Sequence, residues 1–145
     1  MEKGILIPAN TGLPTRAIEF EDINSAREIA NNIAADLIER VRIGDFRETP
    51  PESLAPVIML VDEEGVLRDR AVNLRASVLY GATQHGQLIR GPVVLVIEYE
   101  EFTSEGPDIM WRGFTEADDF LERYRNKLED IFKGMLEWYE SPASV

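Results

Sequence analysis

Val93-Val94-Leu95-Val96-Ile97 is a run of five apolar residues without a polar position, and it constrains the fold more than any other feature. Successive side chains of a strand face opposite sides of a sheet, so a strand that is apolar throughout has to be covered on both faces. Gly91 and Pro92 stand before it, and a proline, having no N–H to give to a ladder, is tolerable only at the start of such a strand. A second apolar run, Val57 to Val61, leads into Asp62-Glu63-Glu64-Gly65 and then Val66-Leu67. A glycine suited to positive φ after an acidic turn predicts a tight β-hairpin there.

Around these runs the chain alternates strand and helix signals. Gly4 to Pro8, the turn-forming Pro8 to Pro14, and Thr15 to Phe20 with its alternating Ile18, Glu19 and Phe20 predict an N-terminal hairpin. Ser25 with Glu28 three residues on forms a capping box, and Ala26, Ile29, Ala30 and Ile33 predict a helix over 26–34. Residues 37–43 alternate and carry β-branched side chains, which favours a strand over continued helix. Gly44 to Pro56, with three prolines and four charged residues, predicts a surface loop. Asn73 is placed to cap a short helix through Tyr80, followed by a flexible Gly81 to Gly86 segment.

Residues 100–113 contain Gly, Pro and many carboxylates and are expected as an acidic loop. Thr115 with Asp118 then opens a long amphipathic helix, about 40 Å from Glu116 to Glu140. Its stripe of Leu121, Tyr124, Leu128, Ile131, Met135 and Trp138, widened by Phe132, Leu136 and Tyr139, is more apolar than one sheet flank usually covers, so part of it is expected to form a homodimer, the alternative being that the helix simply caps its own sheet. The fold class expected is α+β, a mostly antiparallel sheet with an N-terminal strand-helix unit. At 145 residues one domain suffices: a core over 1–97, the acidic loop over 98–113 and the helix over 114–140.

Composition narrows the chemistry. There is no Cys and only one His, which excludes disulfides, thiolate catalysis and sulfur-based zinc sites. A net charge of −12 disfavours binding to nucleic acid or anionic lipid. No stretch reaches the roughly 20 apolar residues of a membrane span, and the apolar run before Asn10 is too short for a signal-peptide core. A cytoplasmic location is therefore expected.

The order Val61-Asp62-Glu63-Glu64-Gly65-Val66-Leu67, then Asn73 and Ala76, then Leu88-Ile89-Arg90-Gly91-Pro92-Val93-Val94-Leu95-Val96 resembles a family of small phage and prophage proteins. It is the family catalogued as domain of unknown function 3846, and the likeness covers residues 3–96. The chain departs from the family pattern at Pro92, where the pattern has Asp, and adds the tail from Gly106 to Val145. The resemblance implies an α+β fold and a viral or mobile-element origin, and it carries over no catalytic residues.

Two groups of residues are candidates for function. Arg68, Arg70, Arg75 and Arg90 cluster in an otherwise acidic chain; converging, they would form an anion or nucleotide pocket with Tyr80 and His85 on its rim. The plainer alternative is that each pairs with a carboxylate. Consecutive turn carboxylates such as Asp62-Glu63-Glu64 point apart, so no metal site and no cofactor is expected. The second group lies in the tail: residues 1–97 carry 14 acidic and 10 basic residues, net −4, whereas 98–145 carry 13 and 5, net −8. Glu116, Asp118, Asp119, Glu122, Glu129 and Asp130, with Leu128, Met135 and Trp138, are candidates for contact with a basic host protein, the plainer role being solubility. The reading that follows is a non-enzymatic accessory protein of host takeover or anti-defence, with small-ligand binding as the alternative.

Overall fold

The computed structural model describes the backbone of residues 1–47 and 56–140, and their side chains apart from those of 44–47, 83–84 and 129–140. The order of elements is β1 (Glu2–Ile7), β2 (Arg16–Phe20), α1 (Ala26–Asn32), β3 (Ile38–Arg47), β4 (Pro56–Asp62), α2 (Leu74–Tyr80), α3 (Ala82–His85), β5 (Val93–Thr103), β6 (Gly106–Arg112) and α4 (Ala117–Glu140). The strands form one sheet in the order β2-β1-β5-β4-β3, with β6 also on β5, and every pairing is antiparallel. Leu95 pairs with both Ile5 and Met59, and Ile97 with both Val57 and Arg112. β1 and β6 therefore lie end to end along the edge of β5 opposite β4. This is the expected α+β class.

The apolar run of β5 divides its side chains between two cores. Val94 and Val96 join Leu6, Ile58 and Leu60 beneath Phe20, Ile23, Ile29 and Ile33, so α1 roofs this face. Val93, Leu95 and Ile97 join Ile5, Ile7, Val57 and Met59 on the other face, beneath Ala76, Phe120, Leu121, Tyr124 and Leu128. The sheet is thus the middle of three layers, with α1 on one side and α2 and α4 on the other.

The local signals act as expected in most places. Ser25 caps α1 by accepting the Glu28 N–H at 3.2 Å, but the Glu28 carboxylate reaches past Ser25 to the N–H groups of Glu21 and Asp22, at 2.8 and 2.9 Å. Residues 38–43 are strand, as their β-branched content implies, and the strand runs on to Arg47. The Gly81 to Gly86 segment is a single helical turn closed by glycines at φ 78 and 69.

Three expectations are corrected. Asp62 to Leu67 does not form a hairpin, because β4 is flanked by β3 and β5 and residues after Asp62 wind into a turn. The expected acidic loop over 98–113 is instead the end of β5 and all of β6, joined through Ser104 and Glu105. Finally, α4 starts at Ala117 with the Glu116 carbonyl accepting from Phe120, so Thr115 is not its N-cap. The expected loop of 44–56 overlaps β3 up to Arg47 and β4 from Pro56; residues 48–55 lie outside the described chain.

As far as its side chains are described, the apolar stripe of α4 faces its own sheet: Leu121, Tyr124 and Leu128, with Phe120, are all buried. Replacing Leu128 by Ala should lower unfolding free energy by about 2–5 kcal/mol through lost burial and a residual cavity. Denaturant titration should show an earlier midpoint with an unchanged slope.

Candidate functional site

Asp62 ends β4 with its side chain fully buried. One oxygen accepts the Glu64 N–H at 2.8 Å, and the other accepts from Arg68 and Arg70 at 3.0 and 2.9 Å. The same guanidinium nitrogens also donate to the end of α1, Arg70 to the Ile33 carbonyl at 2.8 Å and Arg68 to the Ala34 carbonyl at 3.1 Å. Carbonyls at a helix C-terminus have no partner within the helix, and a cation there is favoured by the helix dipole. Ala34, held at φ 52, turns the chain so that these carbonyls meet the arginines. The acidic triplet is therefore dispersed: Asp62 points inward onto two cations, while Glu63 is exposed.

Asn73 is a second internal tie. Its side-chain oxygen caps α2 through the Ala76 N–H, and its amide donates to the carbonyls of Ile7 and Gly91, each contact at 3.0 Å. One buried side chain thus fastens α2 to β1 and to the approach of β5. Gly65 lies in close packing beside this approach, where a Cβ would stand 3.2 Å from the Arg90 carbonyl. Its need for glycine is contact rather than the positive φ expected.

The four arginines do not converge into an anion pocket. Arg68 and Arg70 share Asp62; Arg75 leaves in another direction, donating to the carbonyls of Pro8 and Asn10 at 2.9 and 3.0 Å. Arg90 donates to the Arg70 carbonyl at 2.9 Å and lies 3.7 Å from the exposed Asp69 carboxylate. Carbonyls left over at loop and helix ends take much of the donor capacity that a ligand would use. Tyr80 and His85 do meet, stacked with ring centroids 4.5 Å apart. Tyr80 and Arg90 also line a small cleft of about 60 Å³ with Val41, Val61, Leu88 and Ile89.

On α4 the acidic candidates separate from the apolar ones. Glu116, Asp118, Asp119 and Glu122 are exposed, on turns whose Ala117, Phe120 and Leu121 are buried. Leu128, expected at a partner interface, is instead part of the internal core, where Leu121, Tyr124 and Leu128 pack with Ile5 and Ile7. The side chains of Glu129, Asp130, Met135 and Trp138 lie outside the described set.

A surface that the sequence reading missed is the β5–β6 hairpin. From Tyr99 and Met110 outward this arm runs beyond the pairings of β4 and β1 with β5. Phe102 is 81% exposed, Ile109 57% and Tyr99 37%. Alternation puts Glu98, Glu100 and Phe102 on one face of the arm, opposite Trp111, Ile109 and Pro107. At its base Glu98 is gripped by both Nε and Nη2 of Arg40 across the sheet, with the Trp111 indole N–H 3.4 Å away. Burial pushes the Glu98 carboxyl upward, but the hydrogen bonds and positive charge of Arg40, with help from Trp111 and Arg42, hold it below the usual carboxylate range. The available signal was a pair of short runs carrying aromatic and aliphatic residues, 97–103 and 106–112, separated by Ser104 and Glu105, with Gly106 opening the second run.

Two substitutions test these ties. Asp62→Asn should cost about 3 kcal/mol, below the full penalty for a broken buried pair because Arg68 is partly solvated, and calorimetry should show the fall in unfolding temperature. Glu98→Gln should cost about 1 kcal/mol at neutral pH, since Arg40 is 31% exposed and screened by water. Because the folded carboxyl titrates below its unfolded value near 4.3, its contribution is present above that pH and is lost as pH falls through the folded value. Stability curves of wild type and Glu98→Gln should accordingly converge in acid.

No family model, curated protein or solved structure matches the chain, so its function has to be read from the residues themselves.

Proposed function

We propose that this chain is a small acidic accessory protein of phage type that acts by binding a basic protein of the host cytoplasm, in host takeover or anti-defence, rather than by catalysis. The observation that carries the binding role is the outer side of α4, where Glu116, Asp118, Asp119 and Glu122 are exposed together above a firmly packed apolar side. Carboxylates held on a rigid element present a defined pattern of negative charge, which steers association with a cationic partner and discriminates against other surfaces. Asp118 and Asp119 also favour the helix start through its dipole, so the same residues serve folding. The phage-type assignment rests on the motif resemblance over residues 3–96. No helix among the described residues is long and apolar enough to cross a membrane.

A small-ligand reading is favoured by one observation, the convergence of Tyr80 and Arg90 on a cleft. Mass spectrometry of material released on denaturation tests it, because a stoichiometric anion would move the function to that cleft. For the binding reading, the variant Asp118→Lys, Asp119→Lys, Glu122→Lys should remain folded by circular dichroism. Wild-type protein on a support should retain basic host proteins at low salt and release them as salt rises. The variant should retain none of them. Salt-insensitive retention, or equal retention by the variant, would overturn the reading.

A further inference from the structure

We propose that the face of the β5–β6 arm bearing Phe102, Pro107, Ile109 and Trp111 is a docking surface for an amphipathic cationic helix of a protein partner. The proposal rests on the acidic binding reading above and locates its apolar anchor. The four residues follow from the register: Phe102 lies opposite Pro107, Glu100 opposite Ile109 and Glu98 opposite Trp111, so their side chains share one face. Leu6, Val94 and Val96 point to that same face, where α1 covers them, and Trp111 packs against the margin of this core. Beyond Trp111 the roof ends, leaving Phe102 and Ile109 largely exposed. The apolar surface of the sheet thus continues past its helix. Scattered surface apolar residues are ordinary, but aromatic and aliphatic groups adjoining a core margin have the arrangement of interface anchors.

Charge selects the occupant. Between Ile97 and Trp111 the arm carries no Lys or Arg; Glu98 and Glu100 lie on this face and Glu105 in the turn, while Glu101 and Asp108, paired opposite each other, lie on the other face, and among the described residues of the arm Glu98 alone has its charge matched, by the Arg40 fork. A second copy would bring the same carboxylates against these, in a chain whose net charge is −12. A partner whose leucines meet Phe102 and Ile109 and whose lysines reach Glu100 and Glu105 satisfies both surfaces. The edge of β6 argues for a helix on the face over a strand on the rim. Asn24 already accepts from the Trp111 N–H and donates to its carbonyl, each at 2.8 Å, as a neighbouring strand would. Pro107, next but one along from Ile109, has no N–H to offer. The remaining edge is too short for a partner strand.

The test uses the whole protein and defined probes: a short helical peptide of leucine and lysine, oligolysine, and the leucine–glutamate counterpart. Titration followed by tryptophan fluorescence and calorimetry should show the leucine–lysine peptide binding about tenfold more tightly than oligolysine, and the leucine–glutamate peptide not at all. Phe102→Ser with Ile109→Ser should remove that tenfold advantage while leaving the unfolding temperature and oligolysine binding unchanged. Equal binding of the leucine–lysine peptide by this variant and wild type would overturn the arm proposal while leaving the acidic reading standing. Loss of all cationic binding in wild type would sink the reading beneath it. Sedimentation showing a wild-type dimer and a monomeric Phe102→Ser, Ile109→Ser variant would also overturn it, making a second copy the occupant.

Discussion

A strand that is apolar on both sides cannot tolerate water on either, and in this protein that strand is also the one to which others attach. β5 holds β4 along one edge and β1 and β6 along the other. Covering one face of Val93 to Ile97 requires α1; covering the other requires α2 and α4. The three layers are therefore a consequence of five residues, and the hydrophobic effect supplies the drive at roughly 25 cal/mol per Å² of apolar surface removed from water. Polar ties then fix how the covers are placed. Asn73 fastens α2 to β1 and β5, and Asp62 with its two arginines fastens α1 to β4.

What could be read from the sequence was what local chemistry decides. The caps at Ser25 and Asn73, the β-branched alternation of 38–43 and the apolar runs of β4 and β5 all specify their own conformations. β6 escaped because it opens on Gly106, Pro107 and Asp108, all poor strand formers, beside the glutamate-rich end of β5; pairing along that exposed end tolerates polar residues on both faces. The hairpin expected after Asp62 failed for a different reason. A turn signal states that the chain reverses, not which strand it next pairs with, and both edges of β4 are already taken by β3 and β5.

The candidate site was less legible, since its residues acquire meaning from partners distant in sequence. The arginines looked like a group because they are close along the chain, yet most of their acceptors are main-chain oxygens: Ile33, Ala34, Pro8, Asn10 and Arg70. Carbonyl demand has no signature in a one-letter code. The motif residues behind the phage resemblance have internal work to do as well, with Asp62 and Asn73 holding the framework and Gly65 allowing close packing against Arg90. Surface chemistry is correspondingly left to positions outside the motif: the carboxylates of α4 and the arm ahead of them.

The link from β6 into α4 runs directly over the first strand. The Phe114 N–H donates to the Lys3 carbonyl at 2.9 Å, and a Cβ on Gly113 would stand 2.6 Å from the Lys3 nitrogen. During synthesis β1 cannot pair with β5 until Leu95 has left the ribosome, and α4, part of the cover over Ile5 and Ile7, arrives later still. At about 5–20 residues per second, the Ile5-Leu6-Ile7 segment waits roughly 5–20 s for its long-range partner. Its earlier strand partner among the described residues is β2, and a lone hairpin is marginal in water. Completion of this sheet is consequently a late event in the life of the nascent chain, and the interval exposes an aliphatic segment to chaperones.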